Sequence, residues 1–172
     1  MMVEKEKAQV LFDFLNPKQL EGWRIVNDGV MGGLSRSEIV FSDRGSILFQ
    51  GTLSLENAGG FASVQAEAPP INWKKFAGLL LRIRGDGRRY QLRLRTDQPN
   101  QDLSYRAYFD THPGKWIEVS LPFEAFQPVS RGQVLDDAPP LTLEMIARIG
   151  FLLADQQAGE FKLETDWIKA YA

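Results

Sequence analysis

Apolar and polar residues alternate with a period of two along most of this chain, and Gly, Pro, Asn and Asp break the alternation at short intervals. That combination predicts an all-β sandwich or barrel. Val10 to Phe14 opens the series and Asn16-Pro17 ends it. Ser37 to Phe41 follows, then a Ser42-to-Gly45 turn and a strand in which Ile47, Phe49, Leu53 and Leu55 share one face. Residues 61–66, 103–110, 115–121, 149–154 and 159–170 read as further strands. The clearest hairpin runs from Leu79–Arg84 to Tyr90–Thr96 across Gly85-Asp86-Gly87, with Leu79, Leu81, Ile83, Tyr90, Leu92 and Leu94 inward. Short helical turns are expected near Trp73 and over residues 122–126. Leu141 to Arg148 starts like a helix capped by Thr142, and residues 127–140 read as irregular.

Two glycine-bearing corners interrupt this pattern. The first carries Trp23, Asn27, Asp28, Gly29, Met31, Gly32, Gly33 and Ser35; the second carries Asn57, Gly59, Gly60 and Phe61. Asn-Asp-Gly is turn chemistry, and paired glycines allow backbone angles that side chains forbid. Such corners serve either as the closed end of a sandwich, with Trp23 and Trp73 as plugs, or as a rigid recognition loop with Asn27, Asp28 and the glycine amides facing a partner.

At 172 residues the chain fits one domain spanning 1–172, with room for a core that needs no staples. It has no cysteine, hence no disulfide or thiolate site. The charged amino terminus lacks the apolar stretch of a secretory signal, and no later run reaches the length of a membrane span. A soluble, cytoplasmic protein is expected, with a peripheral place at the inner face of the membrane as a variant. The net charge of −2 argues against bulk attraction to nucleic acid.

That total conceals a basic centre. Between positions 82 and 106 stand seven arginines against three aspartates. Alternation puts Arg82, Arg84, Arg93, Arg95 and Arg106 on the outer side of three strands expected to be neighbours, flanked by Tyr108 and Trp116. A guanidinium array of this kind suits carboxylate or phosphate. It equally suits a solvated face paired with acids such as Glu118 and Glu164.

Catalytic raw material is scarce. His112 is the only histidine and lies in a His-Pro-Gly turn; no HExxH, GxSxG or phosphate-cradling loop occurs. Asp28, Asn57, Asp155 and Asp166 would suit calcium if they met, although turn and capping duty explains them as well. No enzyme activity, cofactor or metal is expected.

Four strings together resemble the complex I intermediate-associated protein family. They are Trp23 with residues 27–35, Glu56 to Ser63, Gly85 to Arg88 running into Tyr90–Thr96, and Trp116 through Phe123 to Phe126; Ile149 to Phe151 and Asp155 to Glu164 look similar too. The resemblance implies a jelly-roll, galactose-binding-like β-sandwich and a non-catalytic role as an assembly factor or chaperone-like scaffold for a respiratory or other membrane-associated complex. A client protein, such as a respiratory subunit, is the implied partner; the seven-arginine excess, independently of the resemblance, makes the arginine face the expected dock for an acidic or extended segment of it. A free-standing domain of this kind looks bacterial. The competing expectation is a carbohydrate-binding module in which Trp23, Trp73, Asn27, Asp28 and Asn57 hold a sugar ring. RNA contact through the arginines is a third.

Overall fold

The computed structural model describes residues 8–15, 21–42, 44–57, 59–99 and 102–172. The charged amino terminus, Asn16-Pro17 and Ala58 lie outside them. Two antiparallel sheets face each other in a jelly-roll β-sandwich, as the alternation and the resemblance led one to expect.

Sheet one contains β3 (Arg36–Phe41), β4 (Ile47–Leu53), β13 (Gly159–Tyr171), β6 (Gly78–Arg84) and β9 (Trp116–Pro122), in that order. β1 (Gln9–Phe12) pairs with the far end of β13, Gln9 opposite Ala170. Sheet two runs β11 (Gln133–Val134), β10 (Gln127–Ser130), β8 (Leu103–Asp110), β7 (Arg89–Thr96), β12 (Ile146–Leu153), β5 (Ala62–Glu67) and β2 (Arg24–Ile25).

Period-two patterning places the core between the sheets. Leu79, Leu81 and Ile83 from β6 meet Phe49 and Leu163 on one side, and Tyr90, Leu92, Leu94, Ile149 and Phe151 come from the other, all nearly inaccessible. The expected inward sets of β6 and β7 are therefore correct. Leu55 is not inward: β4 ends at Leu53, and Leu55 is exposed.

The expected hairpin between β6 and β7 does not form. β6 pairs with β13 and β9 in sheet one, and β7 pairs with β8 and β12 in sheet two. The Asp86-Gly87 turn carries the chain from one sheet to the other. Alternation reports which side of a strand is apolar and is silent on its neighbour, so two strands with matching faces read alike whether they pair or oppose.

The helix-like start at Leu141 shrinks to one 3-10 turn, Leu143–Met145, and Thr142 makes no side-chain cap before Ile146 enters β12. The irregular 127–140 stretch contains the β10–β11 hairpin. Arg131 and Gly132 both have positive φ, 50° and 81°, as a tight two-residue turn requires.

Candidate functional site

The two glycine corners meet, and Asp28 joins them. Its backbone belongs to a 3-10 turn, Asp28–Met31, that closes on Gly32 at φ 88°. The side chain of Met31 falls outside the described residues. The carboxylate points inward, wholly inaccessible. Oδ1 accepts the Ser35 amide at 3.0 Å. Oδ2 accepts Ser35 Oγ at 2.5 Å and the amides of Gly60 and Phe61 at 2.8 and 3.3 Å.

Burial alone would raise the pKa of Asp28. The Ser35 hydroxyl and the Gly60, Ser35 and Phe61 amides outweigh it and hold the group below the usual carboxylate value. A Cβ at Gly33 would lie 2.4 Å from Asp28 Cγ, and one at Gly59 would lie 2.7 Å from Oδ2. Both glycines are needed so that backbone can approach the carboxylate.

Beside this lock, Asn27 Oδ1 accepts Ser37 Oγ at 2.9 Å and the Ser63 amide at 3.3 Å. Trp23 stacks on Phe151 with ring centroids 6.3 Å apart and meets Phe12 edge-on at 5.1 Å. The expectation of Asp28 facing a partner is corrected: a buried carboxylate needs donors, and the free amides of the second corner supply them. Gly29, Gly32 and Asn57 remain exposed, and Phe61 is half-buried. Trp73 is 3% exposed and packs edge-on against Phe123.

At the β6–β7 crossover a second lock contains residues whose role was not evident from sequence. Arg88 forms a buried pair with Asp155 at 2.6 Å and donates to the Gly159, Glu160 and Gln157 carbonyls. Asp86 accepts from Tyr90 Oη at 3.0 Å and from the Lys162 amide at 2.8 Å. Arg88 and Asp155 both sit in turn-like strings, so the only signal was an arginine next to a turn that needed no charge.

The four oxygen donors weighed for calcium do not converge. Asp28 is bound to Ser35 and Gly60, Asp155 to Arg88, and Asp166 to Arg82 at 3.3 Å. Among the described residues no cluster of three His, Cys, Asp or Glu could hold a metal ion. His112 is exposed in its turn.

The single arginine array is also corrected, since its members lie in different sheets. Arg82, Arg84 and Trp116 belong to sheet one, while Arg93, Arg95, Arg106 and Tyr108 belong to sheet two. The sheet-one half is neutralised. Arg84 pairs with Glu164 at 2.6 Å and Arg82 with Asp166, and both guanidinium groups lie over the Trp116 ring at 4.9 and 5.2 Å.

The sheet-two half differs. Arg93 Nε donates to Gln91 Oε1 and its Nη1 to Ser104 Oγ, both at 2.8 Å and both neutral acceptors. Burial, followed by Arg95 and Arg106, pulls the Arg93 pKa down to about 10. Arg106 lies 4.8 Å over the Tyr108 ring, and its buried Nε has no hydrogen-bond partner. Arg148 on β12 stands directly across from Arg95 and adds a further cation. Between these arginines Gly150 leaves a shallow dent edged by Ser63 and Gln65. An open apolar groove of about 600 Å³ lies elsewhere, beneath residues 134–143.

A two-layered jelly-roll sandwich with this strand order has the fold of known carbohydrate-binding modules. The Family 11 Carbohydrate-Binding Module from Clostridium thermocellum, in complex with a beta-1,3-1,4-mixed-linked tetrasaccharide, superposes with a TM-score of 0.73 at 19% identity, covering 96% of this chain and 95% of that one. An agarase, AgWH50C, matches at a TM-score of 0.63 and 14% identity over 96% of this chain and 25% of its own. At these identities the likeness is one of fold.

The chain belongs to the Complex I intermediate-associated protein 30 family, whose model matches residues 12–165. It is 33% identical to Complex I intermediate-associated protein 30, mitochondrial, of Mus musculus, over 96% of this chain and 57% of that protein. A probable member from Caenorhabditis briggsae is 31% identical over 98% and 56%. The chain thus spans a little over half the length of these relatives. Both are eukaryotic proteins named mitochondrial, so the expected bacterial and cytoplasmic setting finds no support in them. No helix among the described residues is long and apolar enough to cross a membrane.

Proposed function

We propose that the chain is a non-catalytic protein-binding module that holds assembly intermediates of a respiratory complex, in a mitochondrial setting. The family match over residues 12–165, to relatives named for association with complex I intermediates, carries this reading. The geometry supports it as well. The residues that distinguish the chain, Asp28 and its glycine corners, are used to make the sandwich end rigid: the Asp28 carboxylate is fully buried and its oxygens are taken up by the Ser35 hydroxyl and the amides of Ser35, Gly60 and Phe61. The outer face of sheet two, where Arg93 is held by the neutral oxygens of Gln91 and Ser104, is the contact surface.

The test is crosslinked capture of partners by the Arg95→Glu/Arg148→Glu variant, with Arg82→Gln on the other sheet as control. Recovery of respiratory subunits falls about tenfold for the first, as loss of charge-assisted contacts implies, and stays level for the second. Unchanged recovery with an intact fold would remove this surface from the account. Capture of no respiratory or other assembly subunit would remove the function.

The carbohydrate-binding alternative, which the likeness in fold to carbohydrate-binding modules favours, loses its two tryptophans and Asp28 to burial while Asn57 stays exposed. Trp23 and Trp73 are 5% and 3% exposed and offer no ring face to a sugar. Saturable binding on a glycan array would bring it back.

A further inference from the structure

The outward arginines of sheet two fall into two rows. Arg106 on β8 and Arg93 on β7 are cross-strand partners and make the first row; Arg95 on β7 and Arg148 on β12 are cross-strand partners and make the second. Cross-strand partners stand about 5 Å apart at Cβ, close enough for two guanidinium groups to share one oxyanion. Positions 93 and 95 lie on the same side of β7, so the rows are separated by about 7 Å, two residues of strand rise.

Three observations show donors left for a ligand. Arg93 donates Nε and Nη1 to the neutral oxygens of Gln91 and Ser104 and makes no ion pair among the described residues. Arg106 Nε is buried and unsatisfied. In the first row the next position across is Gly150, paired with Arg93 on one side and Gln65 on the other, so no side chain blocks approach to the sheet there. In the second row Asp102 acts electrostatically on Arg95, while Arg148, across from Glu67 on β5, makes no ion pair among the described residues.

We propose that Arg93 with Arg106, and Arg95 with Arg148, form a two-row oxyanion site for an extended peptide segment bearing Asp or Glu at alternate positions. In an extended chain, residues i and i+2 project the same way and are about 7 Å apart, which matches the row spacing. Adjacent acids project to opposite sides and can engage one row only. Bound carboxylates also offset the charges of Arg95 and Arg106, which add to burial in lowering the Arg93 pKa. This inference deepens the protein-binding reading and rests on it.

The experiment is a titration of the full chain with two synthetic peptides of equal charge in a threonine background, one carrying Glu-Thr-Glu and the other Glu-Glu-Thr. It is followed through the arginine Nε–H resonances and by anisotropy of a labelled peptide. The alternate-acid peptide binds at least about fivefold tighter and shifts the Arg93 and Arg106 signals, as two engaged rows against one require. Arg106→Gln and Arg148→Gln, one from each row and neither in the core, each lose about fivefold or more while keeping the wild-type Tm.

Equal affinity for the two peptides overturns the spacing, and wild-type affinity in both variants overturns the site. Displacement by single-stranded oligouridylate of the same charge at lower concentration overturns the peptide as ligand. If the peptides fail while partner capture still depends on Arg95 and Arg148, the inference falls and the protein-binding reading stands. A capture experiment that finds no partner removes that reading by itself.

Discussion

Asp28 shows how one residue can be legible as a position and illegible as a chemistry. Its Asn-Asp-Gly setting marks a turn, yet the sequence does not say that three amides and a hydroxyl converge on its carboxylate from residues 35, 60 and 61. Those partners are set by the meeting of two corners far apart in sequence. Asp28→Asn offers one acceptor oxygen where two were used and turns N–H groups toward amide donors. A loss of about 2–3 kcal/mol follows from leaving buried donors unsatisfied. Because the folded Asp28 pKa lies below its unfolded value of about 3.9, its ionised form stabilises the fold above that value, and this contribution disappears as pH falls through the folded pKa. Urea midpoints measured between pH 6 and pH 2 should decline less steeply for Asp28→Asn than for the wild type. Parallel curves would show that the carboxylate is not the acid-sensitive element.

At the scale of elements, strand existence and inward faces were readable because burial imposes a period of two on every strand whatever its partner. Pairing was not readable. Asp86-Gly87 resembles a hairpin turn, but the Asp86 carboxylate is tied to the Lys162 amide of β13, and Arg88 reaches Asp155 beyond β12. The turn is thereby a clamp between sheets, and the arginines on either side of it diverge to opposite outer faces. That divergence is why a single array inferred from spacing became two clusters on opposite faces, of which the one on sheet one is ion-paired. The clamp makes its own prediction. Asp155→Ala strands Arg88, which is 10% exposed, and should cost about 3–5 kcal/mol, the usual penalty for breaking a buried pair by removing one partner. A drop in Tm with no change in partner capture is the expected outcome; loss of capture at an unchanged Tm would give the pair a role in binding instead.

For the whole molecule, the two sheets hold each other through more than apolar contact. β13 takes β4 along its first half, β6 and β1 along its second, and ties the ends of the described chain together, Gln9 against Ala170. Arg88 and Asp86 bind β13 and its preceding loop to the crossover, and Asp28 binds the β2–β3 connection of one end to the β4–β5 connection. Neither sheet can lose its inner face without exposing the other, so unfolding should be a single cooperative event. The tryptophans allow this to be checked, since Trp23 lies in the core against Phe151 of sheet two while Trp116 lies under arginines on the outer face of sheet one. Fluorescence of single-tryptophan variants retaining Trp23 or Trp116 should give the same urea midpoint as far-UV circular dichroism. A lower midpoint for Trp116 alone would mean that sheet one opens first, and the rigid platform on which the two arginine rows are spaced would then have to be sought in sheet two by itself.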